Sequence, residues 1–89
     1  MVAGGALHII RKRGDAFAAA VIAEQRRKGP VGVVLVQDGI LADVSPSVDV
    51  DVYVNGEDAV ARGVDTPYRR VGYEEIARFV ADASSVMVW

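Results

Sequence analysis

The sequence predicts an α/β fold: a three-layer α/β/α sandwich around a mainly parallel five-stranded sheet. Three observations carry the prediction. Apolar runs alternate along the chain with segments of helical period, and such alternation calls for parallel strands joined by right-handed crossovers. The run Val31-Gly32-Val33-Val34-Leu35-Val36 is continuous and β-branched, as strands covered on both faces are. The length of 89 residues, 52% of them apolar, makes a single domain over 1–89 with ample core material.

The elements follow in order. Ala6-Leu7-His8-Ile9-Ile10 is a short apolar run and the first strand, and Arg11-Lys12-Arg13-Gly14 follows as a loop. Asp15 is placed to cap a helix, because its carboxylate accepts from the free amides of the first turn. Ala16 to Lys28 is rich in Ala and straight-chain residues, and so is helical by propensity. Phe17, Ala18, Val21 and Ile22 share one stripe, and Arg26, Arg27 and Lys28 complement the dipole in the last turn. Gly29-Pro30 ends the helix. Val31 to Val36 is the second strand, and Gln37-Asp38-Gly39 turns at its end. Ile40 to Val44 reads as a short helical turn, broken at Ser45-Pro46-Ser47.

Val48 to Val54 alternates strictly, the valines on one face and Asp49, Asp51 and Tyr53 on the other. One face of that strand is therefore incompletely covered, or the strand lies near an edge. Asn55-Gly56 closes it. Glu57 to Ala61 begins a short helix stopped at Gly63, and Tyr68 to Val71 is a weak fourth strand. Tyr73, Ile76, Ala77, Val80 and Ala83 fall at helical spacing opposite Glu74, Glu75, Arg78 and Asp82. Glu74 and Arg78 stand at the i,i+4 spacing of a helical ion pair. Ser85 to Trp89 is the last strand. The whole has the pattern of a small flavodoxin-like or Rossmann-like sandwich.

Composition narrows the function. A chain this short buries roughly 60–65% of its unfolded surface, so its apolar surplus points to oligomerisation. Ten Lys+Arg against twelve Asp+Glu give a net charge of −2. That argues against direct nucleic-acid binding, which needs a basic surplus. The absence of cysteine excludes disulfides, thiolate metal sites and thiol chemistry on these residues. One histidine is too few for a histidine metal site, and no cofactor is expected. No apolar run approaches the ~18 residues that cross a bilayer. No signal peptide is recognised, so the expected location is cytoplasmic.

Ligands and partners of such sheets collect beyond the carboxyl ends of the strands. Residues 10–15, 36–39, 54–58 and 71–73 should meet there. Arg11, Lys12 and Arg13 ahead of a helix offer an anion contact, although without any Gly-x-Gly-x-x-Gly or Walker A pattern the run reads first as a solvated basic loop. Asp38 lies where doubly wound enzymes place an acid, but Asp38-Gly39 also reads as a plain turn. Asp49 and Asp51 share a strand face and keep it polar; no further metal ligand is placed nearby. His8, inside an apolar strand without a nucleophile or acid set beside it, reads as a hydrogen-bonded core or interface histidine. Met87 and Trp89 read as an apolar strand packed in the core or against another subunit. The residues by themselves describe a small α/β domain that associates with other chains and has no self-sufficient catalytic constellation.

Several segments taken together carry a resemblance. They are Leu7-His8, Leu35-Val36-Gln37-Asp38-Gly39-Ile40, Val52-Tyr53-Val54 leading into Glu57-Asp58-Ala59-Val60-Ala61-Arg62-Gly63, Val71-Gly72-Tyr73-Glu74-Glu75-Ile76-Ala77-Arg78-Phe79-Val80, and Met87-Val88-Trp89. In this order and spacing the chain resembles the TusB/DsrH family of small sulfur-relay subunits. The resemblance implies a DsrE/DsrF/DsrH-like sandwich working inside a complex such as TusBCD or DsrEFH, with TusC/TusD- or DsrE/DsrF-like partners or self-association. Those assemblies pass persulfide sulfur between proteins, toward 2-thiouridine at the tRNA wobble position or in sulfur oxidation. The resemblance also implies that the main sulfur-accepting cysteine belongs to a partner. Some relatives carry a cysteine in the first helix, where this chain has Ala16, Ala18, Ala19 and Ala20. The expected role is therefore that of a non-catalytic accessory subunit. A stand-alone anion or small-molecule binder is the alternative. The accessory subunit's contact residues would be Gln37, Asp38 and Gly39 at the strand-end rim, Glu57 and Asp58 in a helical first turn, Arg62 pairing back to Asp58, Gly63 as a C-cap, and Trp89; the alternative, a homo-oligomeric binder, would use the strand-end rim with Arg11, Lys12 and Arg13 for its anion.

Overall fold

The computed structural model describes residues 5–41 and 50–89. Five parallel strands form one sheet in the order β4-β3-β2-β1-β5. They are β1 (Ala6–Ile10), β2 (Val31–Leu35), β3 (Val50–Asn55), β4 (Arg69–Val71) and β5 (Ser85–Val88), and the helices are α1 (Ala16–Arg26), α2 (Gly56–Ala61) and α3 (Tyr73–Asp82). A 3-10 turn over Gln37–Leu41 follows β2. It starts earlier than the helical turn expected from Ile40, because Gly39 N–H already bonds back to Val36 C=O at 2.9 Å. Residues 42–49 lie outside the described residues, and with them the rest of that expected turn, the Ser45-Pro46-Ser47 break, Val48 and Asp49.

The strand order, open in the sequence, explains the layers. From β1 to β4 each strand is laid on the same side of the last, so right-handed crossovers put α1, the 3-10 turn and α2 on one face. The return from β4 to β5 runs the other way and puts α3 on the opposite face. Two apolar clusters match. Ile10, Val31, Val33, Leu35, Ile40, Val54 and Ala59 pack on the first face. Leu7, Val34, Val36, Tyr53, Val71, Ile76 and Phe79 pack on the second. β2 is buried at every position, as its unbroken apolar run predicts.

Local signals place the elements well. Asp15 caps α1, its Oδ1 accepting from Ala18 N–H at 3.0 Å. The helix stops at Arg26, two residues before the expected Lys28. Gly63 has φ of +62°, donates to Val60 C=O, and is followed by Val64 N–H bonding to Ala59 C=O. That pair of bonds is a Schellman motif, in which glycine takes the left-handed position without a Cβ penalty.

Three packing expectations need correction. Phe17 leaves the buried stripe of α1 and is 70% exposed, because it lies 100° around the helix from buried Ala18 and reaches Trp89 instead, edge to face at 5.7 Å. Tyr53, expected on the polar face of β3, is buried against Phe79 at 4.8 Å between ring centroids. The carboxyl half of β3 is covered on both faces, while β4 pairs only with Tyr53–Asn55, so the residues before Tyr53 lack a neighbour on that side among the described residues. In α3 the buried residues are Ile76 and Phe79, and Tyr73 and Val80 are exposed. The apolar face is turned toward Phe79 because Phe79 is the side chain that meets Tyr53. Glu75 pairs with Arg69 at 2.9 Å; among the described residues Glu74 and Arg78 do not form the pair their spacing allows.

Candidate functional site

The site lies where β2, β3 and β4 end. α2 leaves β3 toward one face and α3 leaves β4 toward the other, which makes the β3/β4 crevice a topological switch point.

Asp58 is its node. It stands in the first turn of α2, and its N–H donates to Asn55 Oδ1 at 2.9 Å, so Asn55 is the N-cap. The Asp58 carboxylate then receives three groups. Gln37 N–H donates to Oδ2 at 2.8 Å, Tyr73 O–H approaches the same oxygen at 3.5 Å, and Arg62 Nη1 lies 3.7 Å from Oδ1. Arg62 also reaches across to Asp38, with Nε and Nη2 each 3.1 Å from Asp38 Oδ1. The i,i+4 pairing of Arg62 to Asp58 read from spacing is thus formed, and Arg62 extends it to the Gln37-Asp38-Gly39 turn.

Two backbone features hold that turn. Gln37 has φ of +50°, a strained angle for a residue with a Cβ, and its amide is the one held by Asp58. Gly39 passes so close to β1 that a Cβ there would stand 1.9 Å from the Ile10 carbonyl oxygen. No side chain fits, and the glycine that reads as a turn residue is required by that approach.

Electrostatics follow from the geometry. The negative charge of Asp58 is the main cause that pushes the Tyr73 phenol above its ordinary range; burial, the hydrogen bond and Glu57 add to it, and Arg62 opposes. Asp58 is engaged by its donors and Asp38 by Arg62, so the set is built to hold shape and present charge. Among the described residues no three His, Asp or Glu side chains gather as a metal would require. One buried donor, Asn55 Nδ2, has no partner there.

The other expected residues are placed apart. Arg11, Lys12 and Arg13 are exposed; the Arg11 backbone N–H bonds to Trp89 C=O at 3.0 Å, which starts this loop between β5 and the Gly39 turn, and none of the three side chains joins the Asp38–Arg62–Asp58 set. Trp89 belongs to a second polar set. His8 is fully buried on the α1 face. Its Nδ1 accepts from Trp89 Nε1–H at 2.9 Å, and its Nε2 faces Gln25 Oε1 at 2.5 Å. Since Nδ1 accepts, the network assigns the proton to Nε2. Burial pushes the His8 pKa below its ordinary value, and the Gln25 hydrogen bond partly opposes.

Sequence reasoning missed Asn55, Gln25 and the Tyr73 hydroxyl. Asn55 was findable, because Asn before Gly-Glu-Asp is an N-cap signature. Gln25 and Tyr73 act across long separations and leave no local signal. No protein-family model matches the chain, and no curated protein does either.

Proposed function

We propose that this chain is a non-catalytic subunit of a sulfur-relay complex of the TusBCD/DsrEFH kind, docking a cysteine-bearing partner at the rim formed by Gln37, Asp38, Gly39, Glu57, Asp58 and Arg62. One observation supports the reading above others. The two segments that carry the resemblance most specifically, Gln37-Asp38-Gly39 and Glu57 to Gly63, are clamped together by Asp38–Arg62 at 3.1 Å and Gln37–Asp58 at 2.8 Å. A clamp between two surface segments, with Asp38 still 71% exposed in its side chain, suits recognition of another protein's polar surface. The chain has no cysteine, so in this reading the persulfide rides on the partner, in tRNA wobble thiolation or in sulfur oxidation.

The test mixes the purified chain with a cysteine-bearing DsrE-like protein from the same cell and follows mass by light scattering. A defined hetero-complex is expected, and Asp38→Lys should weaken it about tenfold or more, as truncating or reversing a docking charge does. No complex with any such partner removes the reading. The alternative, an anion-binding module, has one observation in its favour: the exposed triplet Arg11, Lys12 and Arg13 at the end of β1. A flat calorimetric titration with phosphate and nucleotides removes it.

A further inference from the structure

The two edges of the sheet are unlike. β4 is three residues long and carries Arg69 and Arg70, paired to Glu75 and Asp65. Short, charged edge strands resist pairing with another chain. β5, four residues long, carries no such charge. From Ala83 to Trp89 the sequence holds no charge and no proline, and Val86 and Val88 are 37% and 54% exposed. Phe17, 70% exposed, flanks the same edge through its contact with Trp89.

The backbone of β5 points the same way. Trp89 turns both its N–H and its C=O toward β1. In a parallel strand these groups alternate in direction, so Met87 also faces β1, and Val86 and Val88 present theirs outward.

We propose that β5 pairs antiparallel with β5 of a second copy, about a two-fold axis through Met87, to form one continuous sheet through both chains. In this register Val86 of each copy exchanges both backbone bonds with Val88 of the other, and Met87 faces Met87. Opposed residues share a face, so the four valines gather on the α3 face, and the methionines, with Trp89 and Phe17, on the α1 face. The occupant is a second copy for two reasons. An uncharged strand sets no like charges against each other across the axis and offers nothing to select an oppositely charged stranger. And since β5 is the uncharged edge strand among the described residues, two copies joined through it use up that edge and the assembly closes. The inference does not depend on the sulfur-relay reading; the Asp38–Arg62 rim lies at the ends of other strands.

The test measures mass in solution and covalent trapping. Wild-type protein at micromolar concentration should sediment at twice the 9.5 kDa chain mass. Val86→Lys with Val88→Lys should reduce it to the single-chain mass, and Val60→Lys, on α2, should not. Met87→Cys should oxidise to a disulfide-linked pair, since facing residues without mutual hydrogen bonds have Cα atoms about 4.5 Å apart, within disulfide range; Val60→Cys should not. A wild-type protein of single-chain mass overturns the proposal, including the case of a foreign strand on β5. So does a dimer that survives the lysine pair while folded, or one in which Met87→Cys does not crosslink. If the lysine variant fails to fold, the crosslink decides.

Discussion

At Gly39 the backbone of the strand-end turn comes within touching distance of Ile10, and both parties to the contact are main chain. A methyl group there has nowhere to go, because neither backbone can swing aside as a side chain would. Gly39→Ala should therefore lose about 1–3 kcal/mol or more, the range of overpacking, in urea denaturation. Gly29→Ala, with open space around its Cβ position, should stay within about 0.5 kcal/mol. His8 sets a second expectation at this scale. It is buried in its neutral form, with Nδ1 already used as an acceptor by Trp89, so a second proton would displace that bond. Its folded pKa lies below the ordinary histidine value of about 6.5, and the unfolded chain binds the proton more readily. The stabilisation is full above the unfolded pKa and is lost as pH falls through the folded one. Stability measured from about pH 7.5 down to about pH 5.5 should decline, and His8→Gln should flatten that part of the slope. Trp89 is the one tryptophan of the sequence, so its fluorescence reports the same event.

Among the elements, α3 is the best measure of how far periodicity can be read. Its length and position were plain in the sequence, and its charged face was found. Which apolar residues turn inward was not, because Tyr73, Ile76, Phe79 and Val80 all lie within reach of an inward arc and the choice depends on what the opposite surface offers. That surface offers Tyr53. Phe79→Ala should cost about 3–5 kcal/mol, as a deleted core ring does, whereas Tyr73→Ala, at a side chain 57% exposed, should stay within about 1 kcal/mol. Equal losses would mean that the face is not turned as described. α2 was legible more fully: its acidic first turn, its stop at Gly63 and its Arg62–Asp58 pair are local chemistry within one short segment. Its cap, Asn55, was equally local.

For the whole molecule, burial declines from the centre of the sheet outward. β2 is buried throughout and flanked by β1 and β3, while β4 and β5 have one neighbour each. Amide hydrogen exchange should be slowest in residues 33–35 and fastest in β4. If β5 pairs with a copy, the Val86 and Val88 amides should gain protection as concentration rises. No helix among the described residues is long and apolar enough to cross a membrane.

The sequence by itself determined the α/β class, the order of elements, the caps at Asp15 and Gly63, and the buried character of β2 and His8. Each of these rests on propensity, period or capping within a few residues. Only the tertiary structure decided which strands are neighbours, that Tyr53 and Phe79 are core while Phe17 is surface, that Asp58 gathers Gln37 and Tyr73, and that Arg62 reaches Asp38. Those contacts join residues about fifteen to twenty-six positions apart. They exist because right-handed crossovers bring the ends of β2, β3 and β4 side by side, and no local pattern encodes what a side chain will meet once the sheet has closed that distance.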